Sequence, residues 1–315
     1  MTLVTSATLL VLLLASLAMP ARSDLIENWI ASFVSSDIVF ARGKSNVPFQ
    51  PLGWLDVSYY RDTDIELPSP SGGSTSFDQT AISQAALLPF LVSSKDAVLV
   101  GEWVSASSFE VRGQAVDDLE VYSFSVPVGW LRQVSPDQQV AAFVMPMGHD
   151  STLDGSSWQW EAMAGVFSRH LSSDSFWWVW GLFADVGPGD DIYLPYLGGS
   201  WSPNEHWTFS AILPWPAILF APNDRTLFRL GLAPSGTSWH VQGDGANLSF
   251  DLDTLDLGFA VERRILGGFW LQGEAGVGGL RGLRVSGGKL EGGEFRADPA
   301  PYLSIGLFFR PSIDG

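Results

Sequence analysis

Pro301-Tyr302-Leu303-Ser304-Ile305-Gly306-Leu307-Phe308-Phe309-Arg310 decides the reading of this chain. Leu303, Ile305, Leu307 and Phe309 alternate with Ser304, Gly306, Phe308 and Arg310, so a strand here carries one apolar face and one mixed face. The same period of two recurs upstream. Along 255–264, Leu255, Leu257, Phe259 and Val261 oppose Asp256, Gly258, Ala260, Glu262 and Arg264. Tyr122, Phe124, Val126, Val128 and Trp130 oppose Ser123, Ser125 and Gly129. Trp158, Trp160, Ala162, Ala164 and Val166 oppose Gln159, Glu161, Gly165 and Arg169. Phe269, Leu271, Ala275 and Val277 oppose Gln272, Glu274 and Gly276. Charges return to one face each time. A soluble sandwich also alternates, so each strand alone fits either architecture.

The rest of the chain separates the two. Hydrophobic residues make up 46% of the 315 and charged ones 16%, with mean hydropathy +0.16. Behind the N-terminus no run is long enough for a membrane-spanning helix. Apolarity spread over alternating positions is the signature of a barrel with lipid outside and lumen inside. The 14 Trp and 20 Phe suit aromatic girdles at the two membrane boundaries. Residues 1–23 read as an export signal: Leu9-Leu10-Val11-Leu12-Leu13-Leu14-Ala15 is a short apolar core, and Ala21-Arg22-Ser23 a small-x-small cleavage site ending at Ser23. The chain has no cysteine, hence no disulfide framework and no lipoprotein anchor. A net charge of −17 opposes nucleic acid and would favour cations in a pore.

Turn residues give the strand count. Six short clusters, Ser93-Ser94-Lys95-Asp96, Ser135-Pro136-Asp137, Ser172-Ser173-Asp174, Ser202-Pro203-Asn204-Glu205, Pro222-Asn223-Asp224 and Leu266-Gly267-Gly268, preset tight-turn dihedrals. Between them lie Gly- and Asp-rich stretches, 62–77, 109–118, 148–157, 185–191, 235–252 and 282–298, expected as long surface loops. Short turns on the periplasmic side and long loops outside are the asymmetry of outer-membrane barrels. Six periplasmic turns with both termini on that side predict an all-β, up-and-down antiparallel barrel of 14 strands. If 206–222, broken by Pro214 and Pro216, does not cross, the count is 12. The expected organisation is a signal peptide (1–23), a periplasmic or lumenal lead-in (24–52), an outer-membrane barrel (53–310) and a short tail (311–315).

Leu194-Pro195-Tyr196-Leu197-Gly198-Gly199-Ser200-Trp201-Ser202-Pro203-Asn204-Glu205-His206-Trp207, then Leu213-Pro214-Trp215-Pro216 and Phe220-Ala221-Pro222-Asn223-Asp224-Arg225, resembles an uncharacterised family of bacterial outer-membrane β-barrels, a domain of unknown function. The resemblance covers roughly 50–310. It implies an outer-membrane barrel and brings no catalytic or ligand-binding residue with it.

Sites are sparse. His149-Asp150-Ser151 has the residue types of a hydrolase, but adjacency on a strand does not assemble a catalytic group. Asp185, Asp190 and Asp191 around Gly187-Pro188-Gly189 read as a solvated acidic turn before a Ca²⁺ site. The four His are dispersed, so no metal site and no cofactor are expected. The expected lumen-facing charges are Asp56, Glu102, Glu161, Arg169, Arg229, Asp256, Glu262, Arg264, Glu274 and Arg310. They point to a passive channel or transporter of small solutes rather than an enzyme, with outer-membrane lipids and the barrel assembly machinery as partners and no nucleic acid. A non-conducting structural or surface-interaction barrel is the alternative, with a membrane-anchored hydrolase behind it. By parity, Leu257→Arg should disrupt assembly far more than Gly258→Arg.

Overall fold

The computed structural model describes residues 36–38, 45–67, 73–112, 118–187, 191–243, 246–286 and 293–311. The signal with Ser23, Asp190 and the tail beyond Pro311 lie outside the described residues. Sixteen strand segments follow one another among the described residues. They are β1 (Gly53–Leu67), β2 (Gly73–Leu91), β3 (Asp96–Arg112), β4 (Leu119–Ser125), β5 (Val128–Ser135), β6 (Gln138–Ser151), β7 (Gln159–Ser173) and β8 (Phe176–Val186). The second half comprises β9 (Ile192–Trp201), β10 (Trp207–Leu213), β11 (Ala217–Asn223), β12 (Thr226–Gly243), β13 (Ala246–Leu266), β14 (Phe269–Ser286), β15 (Gly293–Ala297) and β16 (Ala300–Phe309).

β4 and β5 are one crossing interrupted at Val126-Pro127, because both pair β3 and β6. β15 and β16 likewise form one crossing between β14 and β1. Fourteen antiparallel crossings therefore close on themselves. The closing strand is the stretch that opened the sequence reading. β16 pairs β1 from Gly53↔Phe309 to Tyr60↔Tyr302, and β14 from Phe269↔Phe309 to Gly278↔Ala300. Closure removes the free edges that lipid would leave unsatisfied.

The faces follow the alternation. On β16, Leu303 is 64% and Ile305 59% exposed, whereas Tyr302 and, just past its end, Arg310 are buried. On β13, Leu257, Phe259 and Val261 are exposed and Asp256, Ala260 and Glu262 buried. Exposed Val, Leu, Phe and Trp recur round the wall, among them Leu88, Phe124, Trp160, Trp180, Trp201, Ile218 and Leu271. In water such a belt would be an aggregation surface; in a bilayer it is the solvated face.

The six short turns sit at one end, between β2 and β3, β5 and β6, β7 and β8, β9 and β10, β11 and β12, and β13 and β14. The last is built on Gly267, whose φ of 50° suits a residue without a Cβ. At the other end the expected loops prove to be mostly ladder. β12 and β13 pair without interruption from Thr226↔Arg263 to Gly243↔Ala246, which runs through 235–252. Pairing of β13, β14 and β15 covers much of 282–298, and β1 with β2 reaches Leu67↔Gly73. The reason is physical: beyond the lipid no face needs to meet hydrocarbon, so the backbone ladder continues while the regular hydrophobic alternation stops.

Wall height is uneven. β12, β13 and β14 run 18, 21 and 18 residues, but β10 and β11 only seven each. Seven tilted residues rise about 18 Å, less than the roughly 25 Å apolar band of such barrels. The Pro214–Pro216 turn thus forms a low saddle in the wall. Both short strands pair on each side, so the count is 14.

One expectation needs revision. A Cβ at Gly258 would collide with the Glu274 carboxylate and the Tyr302 hydroxyl, so Gly258→Arg has no room on the inner face. A cleaner pair lies on β16. Ile305→Arg places a charge in lipid at about 2–4 kcal/mol, whereas Ser304→Arg faces inward opposite Glu274. Ile305→Arg is expected to abolish most heat-modifiable barrel in membrane fractions while Ser304→Arg retains it; equal losses would contradict the faces described.

Candidate functional site

The inner face carries two kinds of surface. The first is a polar network on β1, β12, β13, β14 and β16. Tyr60 donates to Asp256 at 2.6 Å, and Ser235 donates to the same oxygen at 2.8 Å. Tyr60 lies on β1 and Asp256 on β13, so this bond reaches past two intervening crossings. Tyr302 stacks on Tyr60 with ring centroids 5.1 Å apart and donates to Glu274 at 2.6 Å. Arg229 and Gln272 also donate to Glu274, at 2.6 and 3.0 Å. Nearer the short-turn end, Arg310 donates to Glu262 and to the carbonyl of Phe49, both at 2.7 Å.

These contacts place most of the charges singled out from the sequence. Asp56 accepts from Ser83. Arg169 donates to Gln139 at 3.3 Å and lies 4.7 Å over the Trp177 ring. Arg264 is at the lower end of β13, 3.6 Å from Asp224. Glu161 lies close to Asp185 and Ser238. Glu102 departs from expectation. It shares its parity with exposed Val100 and Val104 and accepts from Gln84 at 2.5 Å, on the outer face of the wall. Its sequence environment, Gly101-Glu102-Trp103, offers no polar neighbour on either side to fix the parity.

His149 is buried, but its hydroxyl neighbour is Ser123, at 2.8 Å, and not Ser151. Ser151 instead donates to Ser156 at 2.9 Å. Glu161 stands 3.6 Å from the other His149 nitrogen. Asp191 accepts from Tyr193 at 3.3 Å, and Asp185 turns to Glu161.

The second surface is aromatic. Phe143 on β6 stacks on Phe167 of β7 at 5.9 Å and meets Phe183 of β8 at 6.4 Å. Phe167 meets Tyr196 of β9 edge-on at 4.7 Å, and Tyr196 meets Trp215 at 5.3 Å. Exposed Val144, Val166, Leu182 and Leu197 flank these rings in sequence, so the row lies on the inner face. Gly165 makes room for it: a Cβ there would come within 2.6 Å of Phe143. The row therefore crosses four strands and ends on the Leu213-Pro214-Trp215-Pro216 saddle. Sequence reasoning missed it because both faces of these strands are apolar. For Phe167 parity was available, since it lies in step with Glu161, Gly165 and Arg169.

Above the saddle the wall is open in its hydrogen bonding. Residues 192–196 of β9 pair with β8 only, and 233–243 of β12 with β13 only. The upper β12–β13 hairpin leans inward across the mouth. Ser156 donates to the His240 carbonyl at 3.2 Å, and Leu252 joins a buried cluster with Phe77, Phe109, Leu119 and Val121 from β2, β3 and β4.

At the other mouth the described parts of the lead-in, 36–38 and 45–50, meet the barrel at well-separated places. Asp37 N–H bonds the Ser94 carbonyl at 2.8 Å, and Ile38 packs on Ala97 beside Leu91 and Leu131. Asn46 N–H bonds the Glu205 carbonyl at 2.7 Å, on a turn six crossings away round the barrel. Val47 packs on Ala221, Leu227 and Trp270.

No family model and no curated protein matches the chain. Among solved structures it is similar to a deletion mutant of the TodX monoaromatic hydrocarbon channel, at 10% identity over 90% of this chain and 94% of that one, with a TM-score of 0.47. An outer-membrane channel from Pseudomonas putida F1 matches at 9% identity over 83% and 97%, TM-score 0.44. A Pseudomonas aeruginosa FadL homologue matches at 8% over 82% and 90%, TM-score 0.41.

Proposed function

We propose that this chain is an outer-membrane channel that passes small apolar solutes between its lumen and the surrounding lipid, with Asp56, Glu161, Arg169, Arg229, Asp256, Glu262, Arg264, Glu274 and Arg310 lining the polar part of the lumen. The observation that carries the reading is the aromatic row from Phe143 to Trp215, which leads along the inner face to the low saddle. A route for ions needs polar walls, and one for sugars needs hydrogen-bonding groups beside stacking faces. Contiguous rings offer dispersion contact and nothing that anchors a polar group.

The saddle supplies an exit that suits the same cargo. An apolar solute leaving over Pro214–Pro216 meets hydrocarbon, so it is never released into water against its partition preference. On the opposite wall, Tyr60 on Asp256, Arg229 on Glu274 and Tyr302 on Glu274 tie β1, β12, β13, β14 and β16 together.

The covered mouths favour one other reading, a sealed structural barrel. Uptake separates them. Cells carrying the protein should accumulate a small radiolabelled hydrocarbon faster than cells without it. Combined Phe167→Ala and Trp215→Ala should reduce that rate about tenfold, the weight of roughly 1.4 kcal/mol of lost contact, at equal levels of folded barrel. Identical uptake with and without the protein would leave the sealed barrel.

A further inference from the structure

Four prolines frame the gap in the wall above the saddle. Pro214 and Pro216 form its floor, Pro195 stands on the β9 edge and Pro234 on the β12 edge. Ladder parity fixes where the backbone of the two edge positions points. Ser202 N–H donates to the carbonyl of Ser175 in the β7–β8 turn, and β9 pairs β8 without a shift up to Ile192. Even residues of β9 therefore bond β8, and odd ones face β10. Past the last β9–β10 pair, Leu197↔Leu213, the next backbone position to face the gap is Pro195. On the other side Leu232 N–H bonds the Pro216 carbonyl, so the next position of β12 to face the gap is Pro234. At both places the N–H that would look for a partner across the gap does not exist. Pro195 lies six residues above Trp201 and Pro234 eight above Thr226. On tilted strands that is about 15–20 Å, still inside an apolar band of about 25 Å. Tyr193, Leu197 and Leu213 are exposed on the lipid face around the gap, and Leu194, paired with Phe183 on the inner face, is 39% exposed. The gap joins hydrocarbon to the aromatic row.

We propose that an acyl chain of a neighbouring membrane lipid enters through this window and lies on Leu194, Tyr196 and Trp215, as the resident of the aromatic row until cargo displaces it. This rests on the saddle route described above and names what fills it. The prolines argue against the other occupants. An added strand, from a second copy or another protein, needs backbone donors on the edge it pairs with, and both edges lack theirs just above the saddle. Water needs hydrogen-bonding groups, and at this depth the wall meets hydrocarbon. An acyl chain asks for neither. With two strands ending short, β9 and β12 stand three ladder spacings apart, about 14 Å between their axes, which leaves room for an acyl chain between the flanking side chains. Its methylenes keep the rings in dispersion contact and out of water. Displacing it costs little, because the chain that leaves returns to hydrocarbon.

Photolabelling reads the occupant. The full chain is placed in phosphatidylcholine vesicles doped with a phosphatidylcholine that carries a diazirine midway along one acyl chain, and adducts are located by peptide mass. Leu257 on the lipid face marks full labelling, and Ser304, inward on β16 and six crossings from β9, marks the background. Leu194 and Tyr196 are expected to label at the level of Leu257 and at least about tenfold above Ser304. Added naphthalene should lower the label on Leu194 and Tyr196 while leaving Leu257 unchanged. Pro195→Ala with Pro234→Ala returns two N–H groups to the gap and should lose about half or more of the heat-modifiable barrel, since hydrocarbon satisfies neither. Label at Leu194 and Tyr196 no stronger than at Ser304, label that naphthalene does not displace, or full yield from the double alanine chain would each overturn the proposal. Hydrocarbon uptake by cells with an unlabelled row would keep the route and remove its resident lipid. A labelled row without uptake would keep the lipid and remove the channel.

Discussion

Deleting residues 24–50 and replacing Leu252 by Asp in the same chain is expected to turn a barrel closed to ions into one with steady unitary conductance, while either change alone leaves it closed. Different elements cover the two mouths, and if each stops ions they act in series. At the short-turn end, the strap is held through Asp37 on the Ser94 carbonyl, Asn46 on the Glu205 carbonyl and Val47 on Ala221, Leu227 and Trp270. At the other end, Leu252 anchors the β12–β13 hairpin in an apolar cluster with Phe77, Phe109, Leu119 and Val121. A carboxylate in that cluster forfeits the burial of a leucine and adds an unpaired charge, about 2–5 kcal/mol, so the hairpin lifts rather than keep it there. With one seal gone the other still blocks the path, so the effect is strongly non-additive. With both gone, fourteen strands enclose more space than wall side chains fill. Planar-bilayer recording reads the result. Conductance from the unaltered chain would show that strap and hairpin are not seals, and silence from the combined variant would show that the inner polar network itself closes the lumen.

How far the sequence speaks depends on what each residue faces. Strands with lipid on one side and charges on the other, such as Leu257-Gly258-Phe259-Ala260-Val261-Glu262, announce both their period and their register. The six Pro-, Asn-, Asp-, Ser- and Gly-rich turns give the count of 14 because those residues preset dihedrals locally. Two other signals fail for opposite reasons. Along 235–252 neither face shows the alternation of a lipid-facing wall, and the burial of Leu252 and His240 comes from distant strands, so a continuous ladder looks like a Gly- and Asp-rich loop. Around Phe143 and Phe183 both faces are apolar, so an inward aromatic side chain is indistinguishable from a lipid-facing one; only Phe167 had charges in step with it. Glu102 fails differently: its charge suggests the lumen, whereas the ladder, with Ala86↔Glu102 unshifted between flanking pairs, turns it outward. Long-range meetings, such as Tyr60 with Asp256 or Asn46 with the Glu205 turn, have no local sequence signature, because closure of the ring and the fold of the strap bring them together.

Arg310→Ala is expected to be among the most damaging single substitutions in the barrel. Its guanidinium joins the Glu262 carboxylate at 2.7 Å, with the two side chains only 9% and 2% exposed. Such a pair contributes little net stability, because desolvation offsets most of the attraction. Breaking it from one side is another matter. Glu262 would remain buried with its charge uncompensated, at about 3–5 kcal/mol, and the Phe49 carbonyl would lose its donor where the strap joins β1. The urea midpoint and the yield of heat-modifiable barrel should both drop steeply. Glu262→Leu combined with Arg310→Leu should recover most of the loss, since no charge is then left behind. That rescue also distinguishes two roles for Arg310, which stands at the end of the closing strand. If the assembly machinery reads Arg310 itself when it receives that strand, the apolar pair stays as defective as Arg310→Ala; if the defect is the stranded carboxylate, removing both charges restores the barrel.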